Sequence, residues 1–98
     1  MDLGLTGKRA LVLASSGGLG YATARVLSME GADVVISSRD AGRIRDAGAR
    51  LTGETGRSVT ALVGDVSDPS DLASLVDGAV TALGGLDILV CNAGGPPP

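Results

Sequence analysis

Four apolar runs rich in β-branched residues punctuate the chain: Arg9 to Ala14, Asp33 to Ser38, Ser58 to Gly64 and Leu86 to Cys91. Their starts lie 24, 25 and 28 residues apart, too far for hairpins and right for a strand, a crossover helix and a parallel return. Val34-Val35-Ile36 and Ile88-Leu89-Val90 are apolar without alternation, as strands are when helices cover both faces of a parallel sheet. The connectors agree. Leu72, Leu75, Val76, Ala79, Val80 and Leu83 fall at i, i+3, i+4, i+7, i+8 and i+11, one continuous helical stripe. Asp68 can cap that helix, Pro69 suits its first position, Asp71 places negative charge in the first turn, and Gly84-Gly85 ends it. The connector from about Gly18 to Gly31 puts Leu19, Ala22, Val26 and Leu27 on one face, with Gly31 as its stop. The connector from about Asp40 to Gly56 carries a thinner stripe, Ile44, Ala47 and Leu51, interrupted by Gly42, Gly48 and Gly53, and is expected to fray. The order β-α-β-α-β-α-β with right-handed crossovers predicts an α/β fold, a doubly wound parallel sheet in spatial order 3-2-1-4.

A length of 98 residues fits one small domain, near the lower end of what builds an independent core. With 44% hydrophobic and 19% charged residues, the composition is globular rather than disordered. The net charge of -3 argues against nucleic acid or anionic lipid as partners, since neither is drawn to an acidic surface. The longest apolar runs fall far short of the roughly 20 residues that span a bilayer. Met1-Asp2-Leu3-Gly4 sets an acid where a signal peptide wants basic residues, and the single Cys91 cannot form an internal disulfide; a cytoplasmic location is expected.

Chemistry begins where the first run ends. Ala10-Leu11-Val12-Leu13 feeds into Ala14-Ser15-Ser16-Gly17-Gly18-Leu19-Gly20, and a helical pattern starts at once. Glycines at 17, 18 and 20 remove the Cβ atoms that keep an anion from the backbone, and the open N–H groups of a helix start suit a phosphate. The plainer reading is that these glycines only let the helix pack closely on its strand.

This cluster after the first run, Asp65-Val66 after the third and Asn92-Ala93-Gly94 after the fourth together resemble the short-chain dehydrogenase/reductase family. The resemblance runs essentially the whole length of the chain. Its wording, including Asn92-Ala93-Gly94-Gly95-Pro96-Pro97, is most similar to 3-oxoacyl-(acyl-carrier-protein) reductase-like members. It implies that residues 1–98 are the NADP(H)-binding half of an incomplete Rossmann-type domain, in an oxidoreductase that interconverts a carbonyl and an alcohol by hydride transfer. Ser15, Ser16, Gly17, Gly18, Leu19 and Gly20 would hold the pyrophosphate, Asp65 the adenine amino group and Val66 the ring. Asn92, Ala93 and Gly94 would pass the ribose and nicotinamide. Plainer roles stand beside these: Asp65 as a loop acid capping a turn, and Asn92 as a brace for the sheet. Flavodoxin-like and methyltransferase folds share the sheet but give no reason for the Asn92-Ala93-Gly94 ending. The family cradle reads Thr-Gly-x-x-x-Gly-x-Gly, whereas this chain has Leu13 and Ala14 in the first two places. An alanine Cβ at that tight turn predicts altered geometry or strain.

Cofactor choice is read after the second run, Ile36-Ser37-Ser38-Arg39-Asp40. A ribose hydroxyl wants a carboxylate, and a 2′-phosphate wants a cation. By the family alignment Ser38 stands in the acid's place, and Arg39 follows with a planar fork of donors, which favours NADP(H) over NAD(H). Asp40 is the rival acid, with helix capping as its other use.

Catalytic residues are not expected within this chain. The family's serine and Tyr-x-x-x-Lys pair, in which lysine lowers the phenol pKa for proton exchange with the substrate oxygen, have no counterpart here. Tyr21 is the one tyrosine, and Arg25 four residues on keeps its proton, so Tyr21 is read as surface or packing. With no histidine, Cys91 reads as a small buried hydrophobe rather than a nucleophile, and no metal site is expected. Pro96-Pro97-Pro98 halts helix and strand alike, and the expectation is a truncated cofactor half that self-associates through its exposed fourth strand. Two functional classes follow: part of an oxidoreductase, or a catalytically silent dinucleotide-binding or interaction fragment.

Overall fold

The computed structural model describes residues 4–91, so Asn92, Ala93 and Gly94 lie outside the described residues. Four strands alternate with three helices: β1 Arg9–Val12, α1 Gly18–Met29, β2 Asp33–Ser38, α2 Ala41–Thr55, β3 Val59–Val63, α3 Pro69–Leu83 and β4 Ile88–Val90. The strands form one sheet in the order β3-β2-β1-β4, every pairing parallel, with Val12 beside Ile36 and Val90. This is the expected incomplete Rossmann-like arrangement.

Alternate residues of the central strands feed two cores. Ala10, Val12, Val34 and Ile36 face α1 and α2, where Ala24, Ile44, Ala47 and Leu51 meet them. Leu11, Leu13 and Val35 face α3 and pack on Leu75 and Ala79. Burial on both faces explains why β2 is apolar without alternation; β4, expected to be covered in the same way, is not, with Leu89 46% exposed.

Helix ends follow their residues closely. Asp40 caps α2 by accepting from Arg43 N–H at 3.0 Å. Asp68 caps α3 by accepting from Ser70 N–H at 2.9 Å, with Pro69 following it. Gly84, at φ +79°, closes α3. α1 ends at Met29, and Gly31 at φ +96° turns the chain into β2.

Cys91, expected to be a buried hydrophobe, is exposed. The second connector, expected to fray, is one continuous helix of 15 residues. Gly48 is buried in it, and a Cβ there would stand 3.4 Å from Ala61 Cβ, so α2 passes within contact distance of β3 at this point. The apolar face read for α1 is also not the face it buries. Leu19 and Val26 are 74% and 50% exposed and Ala22 is exposed, while Gly20, Ala24 and Ser28 are buried. Of the four expected residues, Leu27 alone packs against the core. Small side chains at i, i+4 and i+8 bring the helix down onto the sheet, which turns the larger ones outward.

Candidate functional site

The carboxyl ends of β1, β2 and β3 open onto a cavity of about 660 Å³ lined by Ala14, Ser16, Ser38, Arg39, Asp40, Arg43, Gly64, Asp65, Val66 and Ser67. Ligands of open parallel sheets bind at this rim. Five of the expected site residues, Ser16, Ser38, Arg39, Asp65 and Val66, are brought together here by three separate strand ends.

The first corner is the turn from β1 into α1. Ala14 takes φ +53°, the one described non-glycine residue with positive φ, which is the strain expected of alanine in the glycine's place. Ser15 is not among the residues lining the cavity. Its hydroxyl donates to Val12 O at 2.8 Å and accepts Ser37 N–H at 3.0 Å, and its own N–H donates to Ser37 O at 2.8 Å. Fully buried, it bolts the loop to β2. Gly17 is the N-cap of α1 and supplies no side-chain cap, unlike Asp40 and Asp68 on the other two helices. The N–H groups that every helix start leaves open therefore meet no capping side chain at α1. Gly17 and Gly18 are exposed, and a Cβ on either would meet nothing within 4 Å. That corner is open. Leu19 points its exposed side chain away from the core, and Gly20 lies on the buried face of α1.

The second corner follows β2. Ser38 is 9% exposed and its Oγ accepts Asp40 N–H at 3.2 Å, shaping the turn that carries Arg39 to the cavity. Asp40 engages Arg43 N–H through Oδ1, so the capping role is realised.

The third corner follows β3. Asp65 Oδ1 accepts Ser67 N–H at 2.9 Å and the Ser67 hydroxyl at 2.7 Å. The Ser67 hydroxyl first, then its N–H, and the positive charge of Arg39 hold the Asp65 carboxyl below its ordinary range. Asp65 is thus an ionised acceptor, with Oδ2 retaining acceptor capacity. It is fixed from behind by Asp71, whose Oδ2 accepts Asp65 N–H at 2.9 Å. Asp71 was read only as a helix-dipole residue, and the missed signal is its seat in the first turn directly after the Asp65 loop.

Tyr21 lies outside this cavity lining. Its hydroxyl donates to Glu54 Oε1, Arg25 Nε pairs with Glu54 Oε2 at 2.9 Å, and the Arg50 guanidinium sits 4.7 Å from the ring centre. Partial burial, then the Glu54 bond, pushes the phenol pKa up, away from proton exchange. The cluster ties α1 to α2, a packing role. Among the described residues no helix is long and apolar enough to cross a membrane, and no group of three or more metal-ligating side chains converges.

Residues 8–98 match the family model described as short chain dehydrogenase. The human dehydrogenase/reductase SDR family member 4 is 49% identical over 89 residues, covering 91% of this chain and 32% of that protein. The L-sorbose reductase of Gluconobacter frateurii, solved with NADPH and L-sorbose, superposes with a TM-score of 0.91 at 37% identity, over 97% of this chain and 36% of that one. A short chain dehydrogenase of Burkholderia cenocepacia, solved in complex with NADP, gives 0.83 at 44% identity, over 92% and 37%. The chain spans about a third of the length of the curated relatives it matches.

Proposed function

The chain belongs to the short-chain dehydrogenase family, and from that membership we propose that it forms the NADP(H)-binding part of an oxidoreductase interconverting a carbonyl and an alcohol. The observation that carries this reading is the convergence at one rim of an uncapped helix start, a cation and an ionised acceptor. NADPH and NADP in the solved relatives named above support it. The bound nicotinamide would supply or accept the hydride.

The residues fit such a group. Open N–H groups of α1 beside exposed Gly17 and Gly18 suit the pyrophosphate, with Ser16 on the cavity wall and Ser15 holding the loop at a set height. Gly20, on the buried face of the first turn of α1, keeps that helix start low, and Leu19 contributes through its backbone. Arg39, with Ser38 in place of an acid, suits a 2′-phosphate, since a guanidinium matches phosphate with several donors at once. Asp65 accepts from the adenine amino group and Val66 covers the ring. Asn92, Ala93 and Gly94 belong to the same proposal, on the ribose and nicotinamide side. A cytoplasmic setting and self-association through β4 complete it.

The 98 residues contain no Tyr-x-x-x-Lys pair, which favours a second reading for the chain taken by itself: a dinucleotide binder without catalysis of its own. Titrating NADPH and NADH into the purified chain while following nicotinamide fluorescence tests the binding claim. Tighter binding of NADPH, with that preference reduced in Arg39→Ala, is the expected result. No response at millimolar NADPH, or preference for NADH, overturns it. NADPH oxidation by a carbonyl substrate with the purified chain would exclude the second reading.

A further inference from the structure

We propose that Arg43 is a second specificity-determining cation of this cavity, acting with Arg39 on the 2′-phosphate of NADP(H), and that Asp40 is kept from opposing that phosphate by its duty as a helix cap. The inference rests on the NADP(H) reading above and goes beyond it in naming both residues.

Arg43 lines the same cavity as Ser38 and Arg39, although it belongs to the first turn of α2 rather than to a strand end. A cation there opposes the positive end of the helix dipole, so helix stability gives no reason for it. Its ion pair gives little more. Arg43 Nε stands 3.9 Å from Asp40 Oδ2, with the arginine side chain 78% exposed, whereas the other three ion pairs of the described residues close to 2.9 Å. A loosely held guanidinium on a cavity wall is available to an anion that offers more charge than one carboxylate.

Asp40 completes the argument. In a site for an unphosphorylated ribose, an acid at this strand end must leave its oxygens free for the hydroxyls. Here Oδ1 accepts Arg43 N–H at 3.0 Å and Oδ2 faces the Arg43 guanidinium. Its charge lies against the helix start and a cation, both of which offset its repulsion of a phosphate.

The test compares the purified full chain with Arg39→Ala, Arg43→Ala, Arg43→Lys and Asp40→Asn, each titrated with NADPH and with NADH. Circular dichroism checks that each variant is folded, which the exposure of Arg43 makes a mild demand. Arg43→Ala should weaken NADPH about tenfold, the worth of one partly exposed charge-assisted hydrogen bond, and leave NADH within about twofold. Arg43→Lys should recover part of the loss. Asp40→Asn keeps a capping oxygen and should leave NADH unchanged. If Arg39→Ala loses NADPH while Arg43→Ala does not, or if Arg43→Ala weakens both coenzymes equally, the role given to Arg43 is wrong and the NADP(H) reading stands. Weaker NADH binding in Asp40→Asn would make Asp40 a ribose ligand and overturn its part. Wild-type chain that ignores NADPH, or prefers NADH, defeats both readings together.

Discussion

At the scale of single residues, Ala14 holds the most unusual conformation in the described chain. A left-handed φ of +53° costs an L-residue about 1–2 kcal/mol, and here that cost falls at the mouth of the cavity. Ala14→Gly removes the clash but frees the unfolded chain, so the net gain should be about 0.5–1 kcal/mol, read as a higher urea midpoint. A lower midpoint would mean that the methyl group packs usefully and that the turn is unstrained. The substitution of alanine for the family's glycine was legible as a source of strain, because steric limits on φ belong to the residue itself. Ser15 was not legible in this way. Its buried hydroxyl reaches the backbone of residue 37, and only the register between β1 and β2 puts those atoms side by side. Asp71 escaped for a different reason: its bond to Asp65 N–H is local, six residues along the chain, and its place in the first turn of α3 gave the dipole role alone.

Among the elements, β4 is the shortest strand, 3 residues, and it is fastened to β1 by more than the ladder. Asp87, just before β4, accepts from Arg9 Nε and from Arg9 N–H, both at 2.9 Å through Oδ2, while Oδ1 accepts from Arg9 Nη2 at 3.0 Å. The Arg9 side chain first, then its N–H, pull the Asp87 pKa from 3.8 to about 2. A carboxyl depressed on folding adds stability that is full above its unfolded pKa and is lost as pH falls through the folded one. The window therefore runs from just above 3.8 down to about 2. Wild type should lose urea resistance across that window, and Asp87→Asn, already weaker at neutral pH, should lose less. Parallel decline of the two proteins would show that the bridge adds nothing. The helices teach a different lesson. α3 was legible to its caps because its apolar stripe, apart from the exposed Val80, and its capping residues agree. The buried face of α1 was not, because Gly20, Ala24 and Ser28 carry almost no hydrophobic signal, while the stripe that does carry one faces outward.

For the molecule as a whole, strand order could be read from spacing together with the right-handed crossover rule, since a parallel sheet with short connections has few ways to close. What spacing cannot report is which apolar surfaces stay uncovered. Leu19, Val26, Val80 and Leu89 are each at least 40% exposed, and β4 is a sheet edge in the described residues. An apolar edge strand pairs readily with another chain, and a lysine on it blocks that pairing. The chain should therefore associate as its concentration rises, and Leu89→Lys should sediment as a monomer over the same range. Identical sedimentation of the two proteins at every concentration would remove β4 as the contact. The seating of α1 has a reach of its own. Because the helix rests on residues with scarcely any bulk, the distance from sheet to glycine corner is set one and two turns downstream, at Ala24 and Ser28. The molecule thus measures the room it grants an anion with a ruler made of missing atoms, and a single added methylene far from the rim would change the reading.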